Sequence, residues 1–312
     1  MRQSDTILIT GASGMIGSAL LRKLQEESYP HVLAPPHAEL DLRNTKLTGE
    51  YFARHKPDRV FHLAARVGGI HANHKYPGQF IYDNTVMQAN VFEAARKSGV
   101  RKLLFPGSAC TYPRLAAQPV QEKELMNGLI EPTNIAYAAA KINGIIMAQS
   151  YAREYGMHMI IPMPTNTYGI GDNFNPEASH VIPALMQRFH DAKQKLLPEV
   201  VLWGSGSPLR EFIYVDDVAA AFIFLMQNYD LHDIINIGTM QEISINDLAG
   251  KIAEVVGYTG KIVLDVTKPD GTPRKVLDSS RLFDLGWKPQ ITLEEGLKRM
   301  YENHFINQSP IL

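Results

Sequence analysis

The sequence predicts an α/β protein built on a doubly wound parallel sheet, with a smaller α/β domain assembled mostly from the C-terminal part of the chain. Three observations support this fold class. Short β-branched or apolar runs alternate with longer helical patterns through the first half, a glycine-rich turn follows the first such run, and the pattern loosens after residue 166. Strands that alternate with helices indicate right-handed crossovers and a parallel sheet covered on both faces.

Five strands and four helices are expected in the first half of the chain. The strands are predicted at residues 6–10, 31–34, 59–63, 102–105 and 157–163. The helices are predicted at residues 15–27, 48–56, 80–98 and 134–155. This order of elements predicts successive βαβ units, because parallel strands need a crossover connection that is usually a helix.

The second half mixes loop with shorter elements. Residues 169–183 are rich in Gly, Asn and Pro, which predicts a loop. Strands are expected at residues 200–203, 211–215 and 234–237, and helices at residues 216–227, 244–256 and about 293–304. The chain is expected to return to the main sheet near residues 211–240. The predicted domains are therefore residues 1–168 plus 211–240, and residues 169–210 plus 241–312.

The composition excludes several classes of function. Thirty-one basic and 32 acidic residues give a formal net charge of −1, so no polycationic field exists for nucleic acid or anionic lipid. The sequence contains no run of about 18 apolar residues, so no membrane span is predicted. The N-terminus lacks a signal-peptide pattern, so a cytoplasmic location is expected. The single cysteine excludes an intramolecular disulfide and a cysteine-based zinc site, and no metal site is predicted.

A glycine motif directly follows the first predicted strand. Gly11, Gly14 and Gly17 have the spacing GxxGxxG. Such glycines let the turn adopt unusual dihedral angles, let the backbone approach a pyrophosphate, and let helix and strand pack closely. The helix N-terminus then offers N–H donors and a positive dipole end to the phosphates. The motif predicts a Rossmann-like dinucleotide site, with these cofactor-binding residues near the first and third strands: Gly11, Ser13, Gly14, Met15, Ile16, Leu63, Ala64 and Ala65.

The end of the second strand normally decides between NAD and NADP. His37 stands there, followed by Asp41 and Leu42. No Arg or Lys stands where a 2′-phosphate would need one, and no acid stands at the strand tip to reject it. Asp41 and Leu42 are expected near the adenine. The residues themselves leave both NADPH and NADH open.

Tyr137 and Lys141 are four residues apart on a predicted helix and therefore share one face. An ammonium near a phenol favours the phenolate, so this hydroxyl can exchange a proton with a carbinol or a ketone. Ser108 follows a predicted strand and is placed to hydrogen-bond the same carbonyl oxygen. The spacing YxxxK is common by chance, but its place after the glycine motif favours a catalytic pair.

Several other residues are ambiguous when considered alone. Cys110 lies two residues after Ser108, yet a lone cysteine is more often a small buried residue than a reactive group. His180 is one of eleven histidines, in a loop expected to overhang the cofactor. Arginine suits phosphate recognition and tryptophan suits base stacking, but such residues are more often surface charges or core aromatics; the candidates are Arg188, Trp203 and Arg210.

Taken together, these segments resemble the extended short-chain dehydrogenase/reductase family. Within it, the chain is similar to enzymes that act on GDP-linked 4-keto-6-deoxy sugars, through segments along nearly the whole chain: VGGIHAN (67–73), YPGQFIYDN (76–84), KLLFPGSACTYP (102–113), EPTNIAYAAAK (131–141), MPTNTYG (163–169), SHVIPALMQRFHDAK (179–193), VLWGSGSPLREFIYVDD (201–217) and KPDGTPRK (268–275). The resemblance implies an NADPH-dependent enzyme that inverts carbons 3 and 5 of the sugar and then reduces the 4-keto group.

The resemblance also implies a role for each candidate. Cys110 is the epimerisation base and His180 the acid on the opposite face of the sugar. Tyr137 is the proton donor for reduction, supported by Lys141, with Ser108 on the keto oxygen. Asn166 lies near the sugar and nicotinamide, and further cofactor contacts come from Pro164 and His180. The GDP part is held by Arg188, Trp203, Arg210 and Lys275. A homodimer is implied, with the helices at residues 80–98 and 134–155 forming a four-helix bundle with their symmetry mates.

Some positions depart from the family pattern. Some members have an arginine in the glycine loop where Ser13 stands, and another near His37 that grips the 2′-phosphate; both are absent here, which leaves NADH possible. Ile135 and Ala136 replace the usual Glu-Pro beside the sugar. A related substrate therefore stays an alternative, such as the GDP-keto-sugar of colitose or of a 6-deoxyheptose. A 4-epimerase or 4,6-dehydratase is a further alternative, and a regulator that senses dinucleotide without doing chemistry is an alternative of another class.

Overall fold

The computed structural model describes residues 1–175 and 179–307. The strands in chain order are β1 (Ile7–Thr10), β2 (Val32–Leu33), β3 (Arg59–His62), β4 (Lys102–Leu104), β5 (His158–Pro164), β6 (Asn166–Tyr168), β7 (Glu199–Trp203), β8 (Leu209–Arg210), β9 (Phe212–Tyr214), β10 (Ile234–Ile237), β11 (Ile243–Ser244), β12 (Lys261–Asp265) and β13 (Arg274–Lys275). The helices are α1 (Met15–Glu26), α2 (Thr45–His55), α3 (Ile70–Lys75), α4 (Pro77–Lys97), α5 (Ile135–Tyr155), α6 (Val181–Gln194), α7 (Val215–Asn228), α8 (Ile245–Val256), α9 (Ser280–Asp284) and α10 (Leu293–Tyr301).

The predicted doubly wound sheet is confirmed. Six strands pair in the order β2–β1–β3–β4–β5–β10, and every pairing is parallel. β10 joins the edge beside β5, so the chain does return to this sheet in the second half. In such sheets ligands bind at the carboxyl ends of the strands, near the point where the strand order reverses. Here that point lies between β1 and β3.

Local side chains fix where several helices begin and end. The Asn44 side chain accepts a hydrogen bond from the Leu47 N–H at 3.0 Å and starts α2 three residues before the predicted start. Ser244 caps α8, because its hydroxyl oxygen accepts the Asp247 N–H at 3.0 Å. α5 ends at Gly156, whose φ of 65° favours glycine.

Helices cover both faces of the sheet. α4 packs on α5 over one face, and α1 packs on α7 over the other. α4 and α5 approach closely because Gly144 has no side chain. A Cβ at this position would lie 2.5 Å from Phe105 and 2.6 Å from Gln88. Gln88 crosses this interface and donates to the Ala140 carbonyl at 2.9 Å. The long predicted helices are therefore the ones that bury the sheet.

The expectation of loop across residues 169–183 is wrong at its end, because α6 begins at Val181. Proline in a first helical turn is tolerated, so Pro183 does not prevent this start. The helices α3, α6 and α9 and the strands β6, β8, β11, β12 and β13 were not predicted from the sequence.

The smaller elements form three further sheets. β8 lies between β11 and β13, β12 pairs with β7, and β6 pairs with β9. One core cluster contains residues from both predicted domains, including Ile9 of β1 and Leu248 of α8. The domain boundaries stay a prediction. Within residues 1–175 and 179–307, no helix combines the length and the apolar character that crossing a bilayer requires.

Candidate active site

The glycine turn between β1 and α1 is held very close to β3. Gly11 has a φ of 73°, and a Cβ on it would lie 2.7 Å from both the Cα and the N of Ala64. A Cβ on Gly17 would lie 2.1 Å from the Gly11 carbonyl oxygen. Both positions therefore demand glycine. The resulting turn leaves the first N–H groups of α1 directed out of the carboxyl edge of the sheet, where phosphates bind in this motif.

A cleft of about 380 Å³ opens at this turn. Six of the predicted cofactor residues line it: Gly11, Ser13, Gly14, Leu63, Ala64 and Ala65. The backbone cradle and the helix N-terminus fit a dinucleotide pyrophosphate. The remaining lining residues were not predicted as cofactor ligands, and they are His37, Arg43, Arg66, Asp83 and Met87.

Arg43, which was not among the predicted cofactor residues, lines the cleft. The chain folds back after Leu42, which is itself buried, and brings Arg43 to the cleft beside His37. Its guanidinium donates to both carboxylate oxygens of Asp41, from Nε at 3.0 Å and from Nη2 at 2.9 Å. This contact lowers the pKa of Asp41 to about 2. Asp41 is thus an ionised partner of Arg43.

Ser108, Tyr137 and Lys141 come together at the carboxyl end of β4. Ser108 hydrogen-bonds the Tyr137 hydroxyl, but burial dominates and raises the pKa of that phenol above its usual value. Lys141 is 5% exposed and donates to the Pro106 carbonyl at 2.8 Å, with its Nζ 4.5 Å from the Phe105 ring centroid. Burial lowers the pKa of Lys141 to about 7. This is an arrangement for proton donation from a neutral phenol.

Cys110 lies in the same cluster. It is the middle residue of a 3₁₀ turn, Ala109–Thr111, and its N–H donates to the side-chain oxygen of Ser108, which caps the turn, at 3.2 Å. The thiol is partly exposed. The charge of Cys110 contributes to raising the pKa of the Tyr137 phenol, so the two side chains belong to one site. Lys275 reaches the thiol from β13, with its Nζ 3.9 Å from Sγ.

His180 caps the N-terminus of α6, and about half of its side chain is exposed. Its Nδ1 lies 4.0 Å from Oδ1 of Asp172, a carboxylate that is 4% exposed. Oδ2 of Asp172 is buried without a hydrogen bond among the described residues. Asp172 was not singled out in the sequence because an isolated acid in a Gly-Asn-rich loop carries no spacing signal.

Asn166 opens β6 and donates from Nδ2 to the Glu211 carbonyl at 2.8 Å. The buried Glu211 carboxylate accepts N–H bonds from Thr239 at 2.7 Å, Met240 at 2.6 Å and Leu277 at 3.0 Å. Burial raises its pKa. Glu211 therefore fastens the end of β10 to the segment after β13. Pro164, the last residue of β5, pairs with Ile237 of β10 at the same edge.

The predicted nucleotide contacts fall into two groups. Arg188 donates from Nη1 to the Val201 carbonyl at 2.8 Å, near Trp203, which is 69% exposed with Lys268 over its ring at 5.7 Å. Arg210 pairs in register with Lys275 across β8 and β13. A flat exposed indole and an arginine suit a base and phosphates.

No group of three or more His, Cys, Asp or Glu side chains in the described parts of the chain is arranged to hold a metal. The cluster at β4 instead offers a phenol, a hydroxyl, an amine and a thiol beside a dinucleotide cleft. These groups can polarise a carbonyl and move protons to and from it. Comparison with known proteins supports this chemistry. A family model described as "NAD dependent epimerase/dehydratase family" matches residues 7–238.

The chain belongs to this family.

The resemblance to extended short-chain dehydrogenase/reductases is thereby confirmed, and the cofactor class is a nicotinamide dinucleotide. Over 305 residues the chain is 50% identical to GDP-L-fucose synthase 1 of Arabidopsis thaliana, covering 98% of this chain and 94% of that protein. It is 47% identical over 313 residues to GDP-L-fucose synthase of Escherichia coli, covering 97% of each. Among solved structures, a GDP-mannoheptose C4 reductase from Campylobacter jejuni with NADP bound matches with a TM-score of 0.89 and 35% identity, covering 97% of this chain and 98% of that one.

Proposed function

We propose that this enzyme converts GDP-4-keto-6-deoxy-D-mannose to GDP-L-fucose, by inverting carbons 3 and 5 and then reducing the 4-keto group. The 50% identity to a GDP-L-fucose synthase over nearly the full length of both chains carries the proposal. The position of Cys110 beside Ser108 and Tyr137 supports it. A pure 4-epimerase works by reversible oxidation at carbon 4 and needs no such thiol.

Cys110 and His180 carry out the inversions. The keto group acidifies the protons on carbons 3 and 5. The Cys110 thiolate takes such a proton, so that an S–H bond forms while the C–H electron pair remains on the sugar as an enolate. His180, held near the buried Asp172, returns a proton to the other face of the ring. Inversion needs groups on both faces, which is why a thiol after β4 and an imidazole before α6 suit it.

Tyr137, Ser108 and Lys141 carry out the reduction. Ser108 donates a hydrogen bond to the keto oxygen, and Tyr137 gives its phenolic proton to that oxygen as it becomes an alkoxide. When bound, the reduced nicotinamide supplies the hydride. The role proposed for Lys141, whose Nζ lies 6.0 Å from the centroid of the Tyr137 ring, is to stabilise the phenolate that remains. A regulator that only senses dinucleotide would not need this trio.

NADPH is the proposed cofactor, with NADH as the weaker alternative. Arg43 and His37 line the cleft beside Gly11 and Ser13, where the adenosine end of the cofactor enters. In this role the Arg43 guanidinium turns from Asp41 to the 2′-phosphate, because a phosphate offers it charge-assisted bonds of similar geometry. Arg43→Ala should weaken NADPH binding at least about tenfold, and NADH binding much less, since one bond to a charged group contributes about 1.5–3 kcal/mol. A fluorescence titration without sugar tests this, with Arg54→Ala on the exposed side of α2 as the control.

Arg188, Trp203 and Arg210 are proposed to hold the GDP part. The exposed Trp203 ring offers a stacking surface for guanine. Arg210 is half-buried, and partial burial lowers its pKa; a diphosphate would supply the counter-charge. Trp203→Ala should therefore weaken GDP binding without changing NADPH binding.

We also propose a homodimer formed by α4 and α5. Both helices expose large apolar side chains on the outer face of the molecule, with Tyr82 64% exposed, Ile81 42% and Ile146 43%. A second copy of the same pair would cover these side chains in a four-helix bundle. Light scattering should give twice the chain mass, and Ile146→Glu should give the single mass, whereas Leu231→Glu in the loop after α7 should not. A monomeric wild type would refute this proposal.

Proton NMR in D₂O with candidate GDP-keto-sugars tests the proposed reaction. Deuterium should enter carbons 3 and 5 of GDP-4-keto-6-deoxymannose, and the reduced product should be GDP-L-fucose. Two alternative sugars are compared directly, because Ile135 and Ala136 at the start of α5 replace the residues usual in the family. Faster turnover of a GDP-keto-6-deoxyheptose, or of the colitose precursor, would replace the proposed substrate with that sugar. Turnover that survives Cys110→Ser unchanged would refute the role of the thiol.

A further inference from the structure

We infer that Lys275 is the charge partner of the Cys110 thiolate, and that it keeps this sulfur ready to accept a proton, rather than serving the GDP diphosphate. The inference rests on the proposed function, because it explains how Cys110 can act as the epimerisation base. It goes beyond that proposal by giving Lys275 a task in the chemistry. The observation behind it is the distance of 3.9 Å between the Lys275 ammonium and the Cys110 Sγ.

The thiol is held in place on its own side. Ser108 caps the 3₁₀ turn of Cys110, and the Thr111 hydroxyl donates to the Ser108 carbonyl at 2.7 Å. Thr111 is fully buried. The turn therefore fixes the direction in which the sulfur points, and a charge brought near it acts at a constant distance.

The amine is held equally firmly from the other side. Lys275 is paired with Arg210 in β8, and the residues that follow it are tied to the loop after Gln118. The Val276 N–H donates to the Gln118 side chain at 2.9 Å, and the Val120 N–H donates to the Val276 carbonyl at 2.8 Å. These bonds bring the strand from the C-terminal part of the chain directly over the end of β4.

The charge of Lys275 is available to the thiol. In residues 1–175 and 179–307, no carboxylate lies within 4.0 Å of its ammonium, whereas its neighbour Arg274 forms two bonds to Glu242, at 2.6 and 2.9 Å. Adjacent residues in a strand point to opposite faces. Glu242 therefore neutralises Arg274 and leaves the charge of Lys275 to Cys110. The next cation in the sheet is Arg210, and Tyr137 is a further titratable group that interacts with the thiol.

This placement suits a cysteine base. The thiolate, not the thiol, accepts a proton, and a cysteine with no charged neighbour holds only a few per cent thiolate near pH 7. An opposite charge within about 4–6 Å favours the charged form tenfold or more. During the proposed step the C–H bond of the sugar breaks, the proton passes to sulfur, and the negative charge moves from sulfur to the enolate oxygen. The ammonium thus stabilises the reactant form of the base.

The test uses the rate at which iodoacetamide alkylates the protein, measured by intact mass. Cys110 is the only cysteine, so whole-protein alkylation reports on this sulfur alone. At pH 7 and without substrate, Lys275→Met and Lys275→Gln should each slow alkylation about tenfold. Lys275→Arg should remain within about twofold of wild type, because it keeps the charge. Arg274→Gln removes a charge from the same strand and should also leave the rate unchanged.

The same variants separate the inference from its alternatives. Circular dichroism and NADPH titration show whether Lys275→Met and Lys275→Gln are folded. One folded neutral variant is enough for the test. A folded neutral variant that alkylates at the wild-type rate but binds GDP more than about tenfold more weakly overturns the inference and makes Lys275 a diphosphate ligand. Slower alkylation together with slower deuterium entry at carbon 3 supports it. If the neutral variants alkylate more slowly but the wild-type enzyme introduces no deuterium into the sugar, the pairing of Lys275 with Cys110 is supported and the proposed function is refuted.

Discussion

Replacing Lys141 with methionine should make the folded protein more stable while it destroys the reduction. Lys141 is 5% exposed, and burial lowers its pKa from 10.5 to about 7. Between these two values the unfolded chain binds a proton that the folded chain does not, so stability rises as the pH increases from 7 to 10.5. Below pH 7 the folded protein carries the full cost of burying an ammonium.

The magnitude follows from that shift. About 3.5 pH units at 1.36 kcal/mol each amount to a cost of about 5 kcal/mol below pH 7. Methionine removes this cost but leaves the Pro106 carbonyl without its donor, which costs about 1–3 kcal/mol. Lys141→Met should therefore gain about 2–4 kcal/mol at pH 6. The gain should shrink as the pH rises above 7 and should reverse between about pH 8 and 10, where the remaining cost of burial falls below the cost of the lost hydrogen bond.

Urea denaturation of the cofactor-free protein at pH 6 and pH 9 measures this difference. Lys102→Met is the matched control, because Lys102 is also buried but bonds to the Asp230 carboxylate at 2.8 Å at the opposite edge of the sheet. That variant should show no comparable gain at pH 6, since the Lys102 ammonium already has a carboxylate partner. If Lys141→Met is no more stable than wild type at pH 6, or if its advantage is the same at both pH values, the reasoning about the buried ammonium is wrong.

Three further substitutions test other parts of the site. Tyr137→Phe should slow reduction by about 10²–10⁴-fold, the usual contribution of a positioned acid, while NMR still detects deuterium entry at carbon 3; equal loss of both would contradict separate roles for Tyr137 and Cys110. Asp172→Asn should slow deuterium entry about three- to tenfold without changing NADPH affinity, because it changes the buried side chain that lies 4.0 Å from the His180 ring and helps to position it; an unchanged rate would separate Asp172 from the chemistry. Gly17→Ala should cost more than about 3 kcal/mol in urea denaturation, because its Cβ would overlap the Gly11 carbonyl, whereas Gly49→Ala inside α2 meets no atom within 4 Å and should gain up to about 1 kcal/mol; similar results for both would refute the close-approach argument.

The sequence predicted the parts of the fold that obey short-range rules. The strands of the main sheet up to β5 and the helices α1, α2, α4 and α5 have clear periodicity, and the glycine turn has a fixed spacing. The two-residue strands β8, β11 and β13 have no such pattern. They exist because distant segments supply their partners, as Lys275 does for Arg210.

The site shows the same division. Ser108, Tyr137 and Lys141 are positioned by one strand end and one helix, so spacing alone indicated that they would meet. The position of Arg43 in the cleft was not predicted, because it depends on the burial of Leu42 and on the turn of the chain that follows. No local pattern indicated that the Lys275 ammonium would lie against a sulfur 165 residues away.

That separation along the chain has a consequence for the protein as it is made. The glycine turn, the phenol and the thiol all belong to the portion that leaves the ribosome first. The amine arrives only when β13 docks beside β8, near the end of synthesis. A nascent chain, or one clipped before β13, therefore carries an ordinary cysteine, and the sulfur acquires its charge partner only in a finished molecule.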